Sequence, residues 1–480
     1  MTKPGVGRRE FIKGGIGLTV LNSVPWAKHA FAQADENDRI IQAAKGIPPT
    51  ELRGMIWSPY FIPMQSTMQE FKAATGIGVA GIQDISIFDI PQRAMAEALS
   101  KSPQFDFFHI DAGMIPSLVS AGLIEPLDQY MKKANFKIDA VGDYGKLVTY
   151  KGQTYGIPTD GNVHVQCVRK DLMEEPTAKK RFEDKFGKAP KFPETWDEEF
   201  QLQQFFHSPD KQVWGSGSLR NRGNGIVWYL MMLYSHGGFP FDDEMKPTLN
   251  TDAGKRALEV YLREKAVAHP EATGWGTPQM IPRNVGGNTF SCQYWDGLLK
   301  LAENPEKSKT QGKWQYGLIP GADVGGKRTH RSISSPLAAV VVNRYSPRKA
   351  AAAYLACWWS TFKASELIVA DRVNTFHDAW HKGHMTSKLI EEAYTAPGLK
   401  AIEQNLQVAC PPIYLTGYLE FQDQLGKHLS EAYIGQIKAD EVLQKTEDEW
   451  NKIVKRTGAA KLKQDLATYK AAMPKILKPA

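Results

Sequence analysis

Few residue spacings in this chain could carry chemistry. His377, His381 and His384 fall at i, i+4 and i+7, so a helix would align three imidazoles as metal ligands. That spacing fixes no acidic ligand, and a solvated helix face is the better reading. Ser346 to Lys349 and Ser360 to Lys363 both fit S-x-x-K, yet neither S-D-N nor K-T-G accompanies them. Gly76-Ile77-Gly78-Val79-Ala80-Gly81 satisfies G-x-G-x-x-G but follows a helical stretch and enters a strand, the reverse of what phosphate binding needs. G-x-S-x-G, Walker A and H-E-x-x-H are absent from the sequence. We therefore expect no catalysis, no metal and no cofactor, and attention passes to aspartates and aromatics that could hold a solute.

Those residues need elements to position them. A short apolar strand, Gly54 to Trp57, precedes a Pro/Ser loop and a helical stretch from Pro63 to Thr75 with Met64, Met68 and Phe71 on one face. Gly76 ends that helix. A strand from Ile77 to Ile82, a helix from Pro91 to Leu99, a strand from Phe105 to Ile110 and a helix from Ile115 to Ala121 follow. Alternating strands and helices imply a mostly parallel sheet, with ligands beyond the carboxyl ends of its strands. Those ends are Trp57-Ser58-Pro59-Tyr60, Asp84 and Asp111.

Val148 to Pro158 reads as a hairpin with Lys151-Gly152 at its turn. Residues 170–310 read as mainly helical, with a capping box at Thr195 to Glu198. A strand from Leu337 to Val342, a helix from Ala350 to Phe362 and a helix-rich tail complete the chain. Proline exits at Ile157-Pro158 and Ile319-Pro320 suggest crossings between two lobes near residues 158–162 and 319–323, with a cleft between them. Asp160 and Asn162 sit in the first crossing.

The first residues point to export. Arg8-Arg9-Glu10-Phe11-Ile12-Lys13 precedes an apolar run from Gly14 to Val24, and Ala32-Gln33-Ala34 offers a cleavage site. The arginine pair resembles a twin-arginine signal, with Gly7 where Ser is usual. No Cys precedes Cys167, so no lipid anchor is expected, and the protein should be periplasmic and soluble from Asp35. Removing residues 1–34 leaves 446 residues, too many for one compact core. The net charge of +7 misleads, because the signal holds +4 of it. What remains demands neither nucleic acid nor an anionic membrane. No later run reaches the roughly 18 apolar residues a membrane span needs. Cys167, Cys292, Cys357 and Cys410 lack C-x-x-C spacing, and a disulfide among them is not readable.

In this order the segments resemble the maltose-binding-like family 1 solute-binding proteins of carbohydrate ABC importers. Phe105 to Asp111 and Gly122-Leu123-Ile124-Glu125-Pro126-Leu127-Asp128 are similar to the family's third strand and the segment after it. Tyr150 to Pro158 with Val168-Arg169-Lys170-Asp171-Leu172 is similar to "dGk-YgiP…yrkDL", and Pro193 to Asp197 to "P-TWdE". Phe290 to Gly297, with Trp295, resembles the family's cleft-facing "aM…w-g".

The resemblance implies an α/β, two-lobe periplasmic binding protein fold of type II. Residues 35–160 and 322–375 would form the N-terminal lobe, and 161–321 and 376–480 the C-terminal lobe. It implies a monomer that closes on a carbohydrate or polyol and presents it to ABC permease transmembrane subunits. Sugars offer vicinal hydroxyls for carboxylates and amides, and apolar C–H faces for flat rings. Asp111 and Asp160 are the expected carboxylates and Trp295 the stacking ring; the bland readings are turn aspartates and a core tryptophan. Tyr60, Asn162, Asn221 and Ser335 are further candidates by loop position. Arg220 or Arg222 could fork onto an anionic sugar, unless each forms a surface pair.

In the segment Asp371 to Asp378, His377 stands where the family often has an Arg, which leaves the ligand class open. Two alternatives remain. One keeps the fold with a phosphorylated polyol, polyamine or metal chelate as cargo; the other is an exported enzyme.

Overall fold

The computed structural model describes residues 36–85, 89–99, 104–142, 144–334, 338–374 and 376–474. The expected signal, residues 1–34, and the candidate Ser335 lie outside the described residues.

Two sheets organise the chain. The first contains strands β1 (Thr50–Met55), β2 (Ile77–Gln83), β3 (Phe107–Asp111), β4 (Gly156–Pro158) and, from far along the sequence, Ala338–Val342. The second contains β5 (His164–Arg169), β6 (Trp214–Ser216), β7 (Thr289–Trp295) and β8 (Trp314–Gly317). With Ala338–Val342 as β9, the orders are β2-β1-β3-β9-β4 and β8-β5-β7-β6.

The first sheet follows the reading closely. β1 pairs in parallel with both β2 and β3. β9 returns antiparallel between β3 and β4, so the sheet is mixed rather than mostly parallel. The first helix begins earlier than expected, at Ser58, and absorbs the Pro/Ser loop. Pro59 suits a first turn, where its missing N–H has no intrahelical partner to lose. Pro63 gives up one backbone bond inside the helix. Burial of Tyr60, Met64, Met68 and Phe71 on one face offsets that loss. Gly76 closes the helix at φ +72°, its N–H on the Lys72 carbonyl.

The helix expected from Ala350 to Phe362 is two helices, Lys349–Trp359 and Phe362–Val369. Thr361 divides them, because its hydroxyl accepts from the Ala364 N–H and caps the second. Trp358 and Trp359 of the first are fully buried, and their indole N–H groups donate to the carbonyls of Thr67 and Met64. This fixes the helix against Ser58–Thr75.

Of the second sheet, β6 and β7 lie within residues 170–310, the stretch read as mainly helical, and β5 and β8 flank it. Its central strands β5 and β7 are buried on both faces. Cys167 stands directly opposite Cys292 across β5 and β7, and all four cysteines are free and buried. Backbone Thr159 to Val163 links the end of β4 in the first sheet to the start of β5 in the second. Beside it, Val163 bridges Ser334, and Ser332–Ile333 pairs with Ala409–Cys410. Among the described residues no helix is long and apolar enough to cross a membrane.

Candidate functional site

A cavity of about 600 Å³ opens where β1 of the first sheet and β7 of the second end. Trp57, Tyr60, Phe376 and Asp378 line it on one side. Trp57 follows β1, and Tyr60 stands in the first turn of the helix after it, so the strand end positions both. Phe376 packs edge-on between them, its ring centroid 5.1 Å from Trp57 and 5.9 Å from Tyr60. On the other side lie Tyr294 and Trp295 at the end of β7, Asn224, Thr277, and an apolar rim from Pro278 to Leu301.

Trp295 is held from behind, with His164 at 4.8 Å and Trp228 at 5.4 Å between ring centroids. Flat rings on both sides, with a few amide, hydroxyl and carboxyl groups, suit a solute having apolar faces and polar edges.

The base of the cavity is charged. Asp378 is its single charged lining residue among the described residues, and it is 2% exposed. The Tyr394 hydroxyl donates to Asp378 Oδ1 at 2.7 Å. The Lys300 ammonium stands 3.8 Å from that oxygen and donates to the carbonyls of Val369 and His377.

Asp160 lies just behind. Its Oδ1 accepts from the Asp378 N–H at 2.6 Å, and its Oδ2 from the Asn162 amide at 2.7 Å. Asn162 also reaches the Tyr60 hydroxyl at 3.5 Å. Asp296 Oδ1 accepts from the Val163 N–H at 3.0 Å, no donor reaches its Oδ2, and its carboxyl shares a hydrogen bond with Asp378. Two carboxyls can do so only through a proton on one of them.

Burial is the main cause of the raised carboxyl pKa values at Asp160, Asp296 and Asp378. The Asp378 charge raises Asp160 and Asp296 further, whereas Lys300 pulls all three back. Burial lowers Lys300, and the three aspartates oppose that.

Gly161 explains how the strand-to-strand link lies so close to this cluster. Its N–H donates to the Asp378 carbonyl, and a Cβ there would sit 2.4 Å from the Ala379 carbonyl oxygen. His377 braces the same junction, with Nδ1 at 2.8 Å from the Thr159 carbonyl and Nε2 at 2.8 Å from the Tyr60 carbonyl. Burial nevertheless holds its pKa down to about 4.

Of the sequence candidates, Tyr60, Asn162 and Trp295 meet at the cavity. Asp160 stands one shell behind and orients Asn162. Asn221 also acts indirectly, its Oδ1 accepting from the N–H and side-chain amide of Asn224 at 2.9 and 3.0 Å. Asp111 is elsewhere: it is buried, accepts from the Tyr418 hydroxyl, and caps a short turn through the Gly113 N–H. Asp84 accepts from the backbone and hydroxyl of Ser58.

Arg220 pairs with buried Glu264, and Arg222 with Asp423, so neither arginine reaches the cavity. The three histidines share neither a helix nor a solvated face. Residues 377–380 are irregular chain, all three rings are buried, and His384 Nε2 meets the Ser365 hydroxyl. No group of residues that could hold a metal occurs among the described residues.

Sequence reasoning missed Asn224, Phe376 and Asp378 as lining residues. Trp57 was legible as a strand end. Asp378 lay in a segment already singled out, but nothing in its spacing distinguished it from Asp371.

Comparison with known proteins gives a consistent answer. The sequence profile described as "Bacterial extracellular solute-binding protein" matches residues 66–363. A mannitol-binding protein of Pseudomonas aeruginosa is 23% identical over 398 residues, 77% of this chain and 85% of that protein. A probable amino-acid ABC transporter periplasmic-binding protein of Sinorhizobium fredii is 26% identical over 346 residues, 66% of this chain and 72% of that one. The crystal structure of an ABC transporter solute-binding protein from Agrobacterium radiobacter, in complex with ribitol, superposes with a TM-score of 0.71 at 18% identity. That match covers 84% of this chain and 98% of the other, so the α/β periplasmic binding protein fold is shared.

Proposed function

This chain belongs to the bacterial extracellular solute-binding proteins, and from that premise we propose that it is the periplasmic binding component of an ABC importer for a sugar or sugar alcohol. The observation that carries the cargo class is the aromatic-walled cavity of about 600 Å³ with amides and one carboxyl at its edges. The mannitol and ribitol bound by the two relatives are polyols of the kind such a cavity suits. An amino acid, or a phosphorylated polyol, would bring an anionic group, and no basic side chain lines the cavity among the described residues.

In the proposed mechanism, residues 35–160 with 322–375 form one lobe, and 161–321 with 376–480 the other. Trp57 and Tyr60 come from the first lobe and Trp295, Asn224 and Phe376 from the second, with Phe376 at the boundary packed on Trp57 and Tyr60. Only the closed arrangement completes the site, so the solute shifts the population toward it. Asn162 and Asp378 hold hydroxyls while Trp295 stacks on the C–H face. The closed monomer then docks on the permease subunits. The arginine pair at residues 8–9 directs export by the twin-arginine route.

A thermal-shift screen of the exported chain against sugars, sugar alcohols and non-sugar solutes tests this. At about 1,000 times Kd, linkage adds about 4 kcal/mol and raises Tm measurably. A shift confined to one sugar or polyol group supports the reading. Silence across all of them, with a shift from another solute class, overturns the cargo and keeps the family.

A further inference from the structure

Taking the cavity to be the carbohydrate site just proposed, we infer that it is built for a sugar or polyol that carries a cationic amine. Three observations converge on the same point in the fold.

The first is the lining itself. Of the charged residue types, only an aspartate reaches the cavity surface among the described residues, and no Lys, Arg or His does. The second is the charge behind that surface. Asp160, Asp296 and Asp378 are all fully or almost fully buried, and Lys300 is the cation set against them. Lys300 spends two of its donors on the carbonyls of Val369 and His377. Asp296 and Asp160 lie behind the surface, and of the three carboxyls only Asp378 lines the cavity. The arginines nearest in sequence to the cavity are engaged with Glu264 and Asp423.

The third observation is the wall: Trp57, Tyr60, Tyr294, Trp295 and Phe376 surround the space above Asp378. Aromatic rings attract a cation through their quadrupole, more strongly where water is displaced.

These features discriminate by charge. An ammonium placed over Asp378 adds a positive charge to a cluster that holds three carboxyls and one cation. A hydroxyl at the same place can donate one hydrogen bond but leaves the carboxyl surplus unchanged. A carboxylate or phosphate would meet Asp378 with like charge and find no basic partner. The resulting preference is amine over alcohol over acid on an otherwise identical carbon framework.

Matched triples give the test. Isothermal titration of the exported chain compares D-glucamine, D-sorbitol and D-gluconate, which differ in one terminal group. 6-Amino-6-deoxyglucose, glucose and glucuronate, which differ only at C6, form a ring-shaped counterpart, and further triples are built on whichever framework the thermal-shift screen selects.

The expected result is an amine bound at least about tenfold more tightly than its alcohol, with the acid weakest. Asp378→Asn should reduce that ratio to near one, the amine losing more affinity than the alcohol. An alcohol bound as tightly as its amine, or an amine preference that survives in Asp378→Asn, overturns the inference and leaves the carbohydrate reading standing. Silence of every triple, when another solute class binds, overturns both. The wild-type ranking requires no variant, so poor folding of Asp378→Asn does not remove the test.

Discussion

Two buried charged clusters meet β7, one at Ser291 and Gln293 and one just past its end at Asp296, and they differ in charge balance. One surrounds Glu199 behind the second sheet. Its Oε1 accepts from the side chains of Gln166 at 2.8 Å, Gln203 at 3.3 Å, Ser291 at 3.1 Å and Gln293. Nearby, Arg220 pairs with Glu264, which also takes the Ser216 hydroxyl at 2.9 Å. The other cluster, Asp160, Asp296, Asp378 and Lys300, has more carboxyls than cations and borders the cavity. In the Glu199 cluster one oxygen gathers four donors and ties a helix to the strands, while Glu199 Oε2, Gln203 Oε1 and Arg220 Nε meet no partner among the described residues. The other cluster sets three carboxyls against one cation, and its Asp378 reaches the cavity surface. The comparison separates structural burial of charge from burial that serves binding.

The largest expected effect comes from removing the cation of the cavity cluster. Lys300→Met removes the cation beside three buried carboxyls, one of which carries the shared proton, and should cost about 3–5 kcal/mol, read from the denaturant midpoint at pH 7. A loss under about 1 kcal/mol would mean that the aspartates are held neutral, and the contrast between the clusters would collapse.

Next is the wall above that cluster. Trp295→Ala should weaken binding of the solute found in the screen by about 2–3 kcal/mol, roughly 30- to 150-fold in Kd. Titration checks it, and unchanged affinity would place the solute elsewhere.

Asp111 belongs to neither cluster and calibrates the effect of burial alone, which raises its pKa to about 6. A carboxyl whose folded pKa lies above its unfolded value binds its proton more tightly in the native state. Its contribution is therefore full below about pH 4 and is lost as pH rises to about 6. Asp111→Asn keeps acceptors for Gly113 and removes this loss, about 2 kcal/mol at pH 7 relative to pH 4. Unfolding curves at both pH values, for wild type and variant, measure it.

The smallest effect at neutral pH belongs to the Glu199 cluster. Burial, then the charge of Glu264, pushes the Glu199 pKa up to about 8, so it is mostly protonated at pH 7. Glu199→Gln should change stability by less than about 1 kcal/mol there. In the wild type, stability should fall as pH rises from about 4.5 through 8, and the amide should flatten that slope. A strongly destabilised amide variant at pH 7 would show that the carboxylate, and not its shape, holds the glutamines.

How much of this was legible depends on whether the signal was local. Gly76, the capping box at Thr195 to Glu198, and the hairpin turn at Lys151-Gly152 are all present as read. Each is decided by a few neighbouring residues, and Lys151 and Gly152 both take positive φ. β5 and β7 escaped notice because their buried positions carry Gln166, Ser291 and Gln293, which read as polar surface until Glu199 is placed over them. The histidine spacing suggested a helix because i, i+4 and i+7 describe nothing else locally; the chain there is instead held by contacts to Thr159, Tyr60 and Ser365.

The sequence alone determined the alternating strands and helices that open the first sheet, the family, and three of the residues that line the cavity, Tyr60, Asn162 and Trp295. Tertiary structure decided which carboxylate faces the solute. Asp111 and Asp378 look alike along the chain. Tyr418, more than 300 residues from Asp111, turns that side chain into the core, while Lys300 and Tyr394 hold Asp378 at the cavity floor. Partners so distant leave no periodicity or spacing to read, because only the packed chain brings them within a hydrogen bond's length.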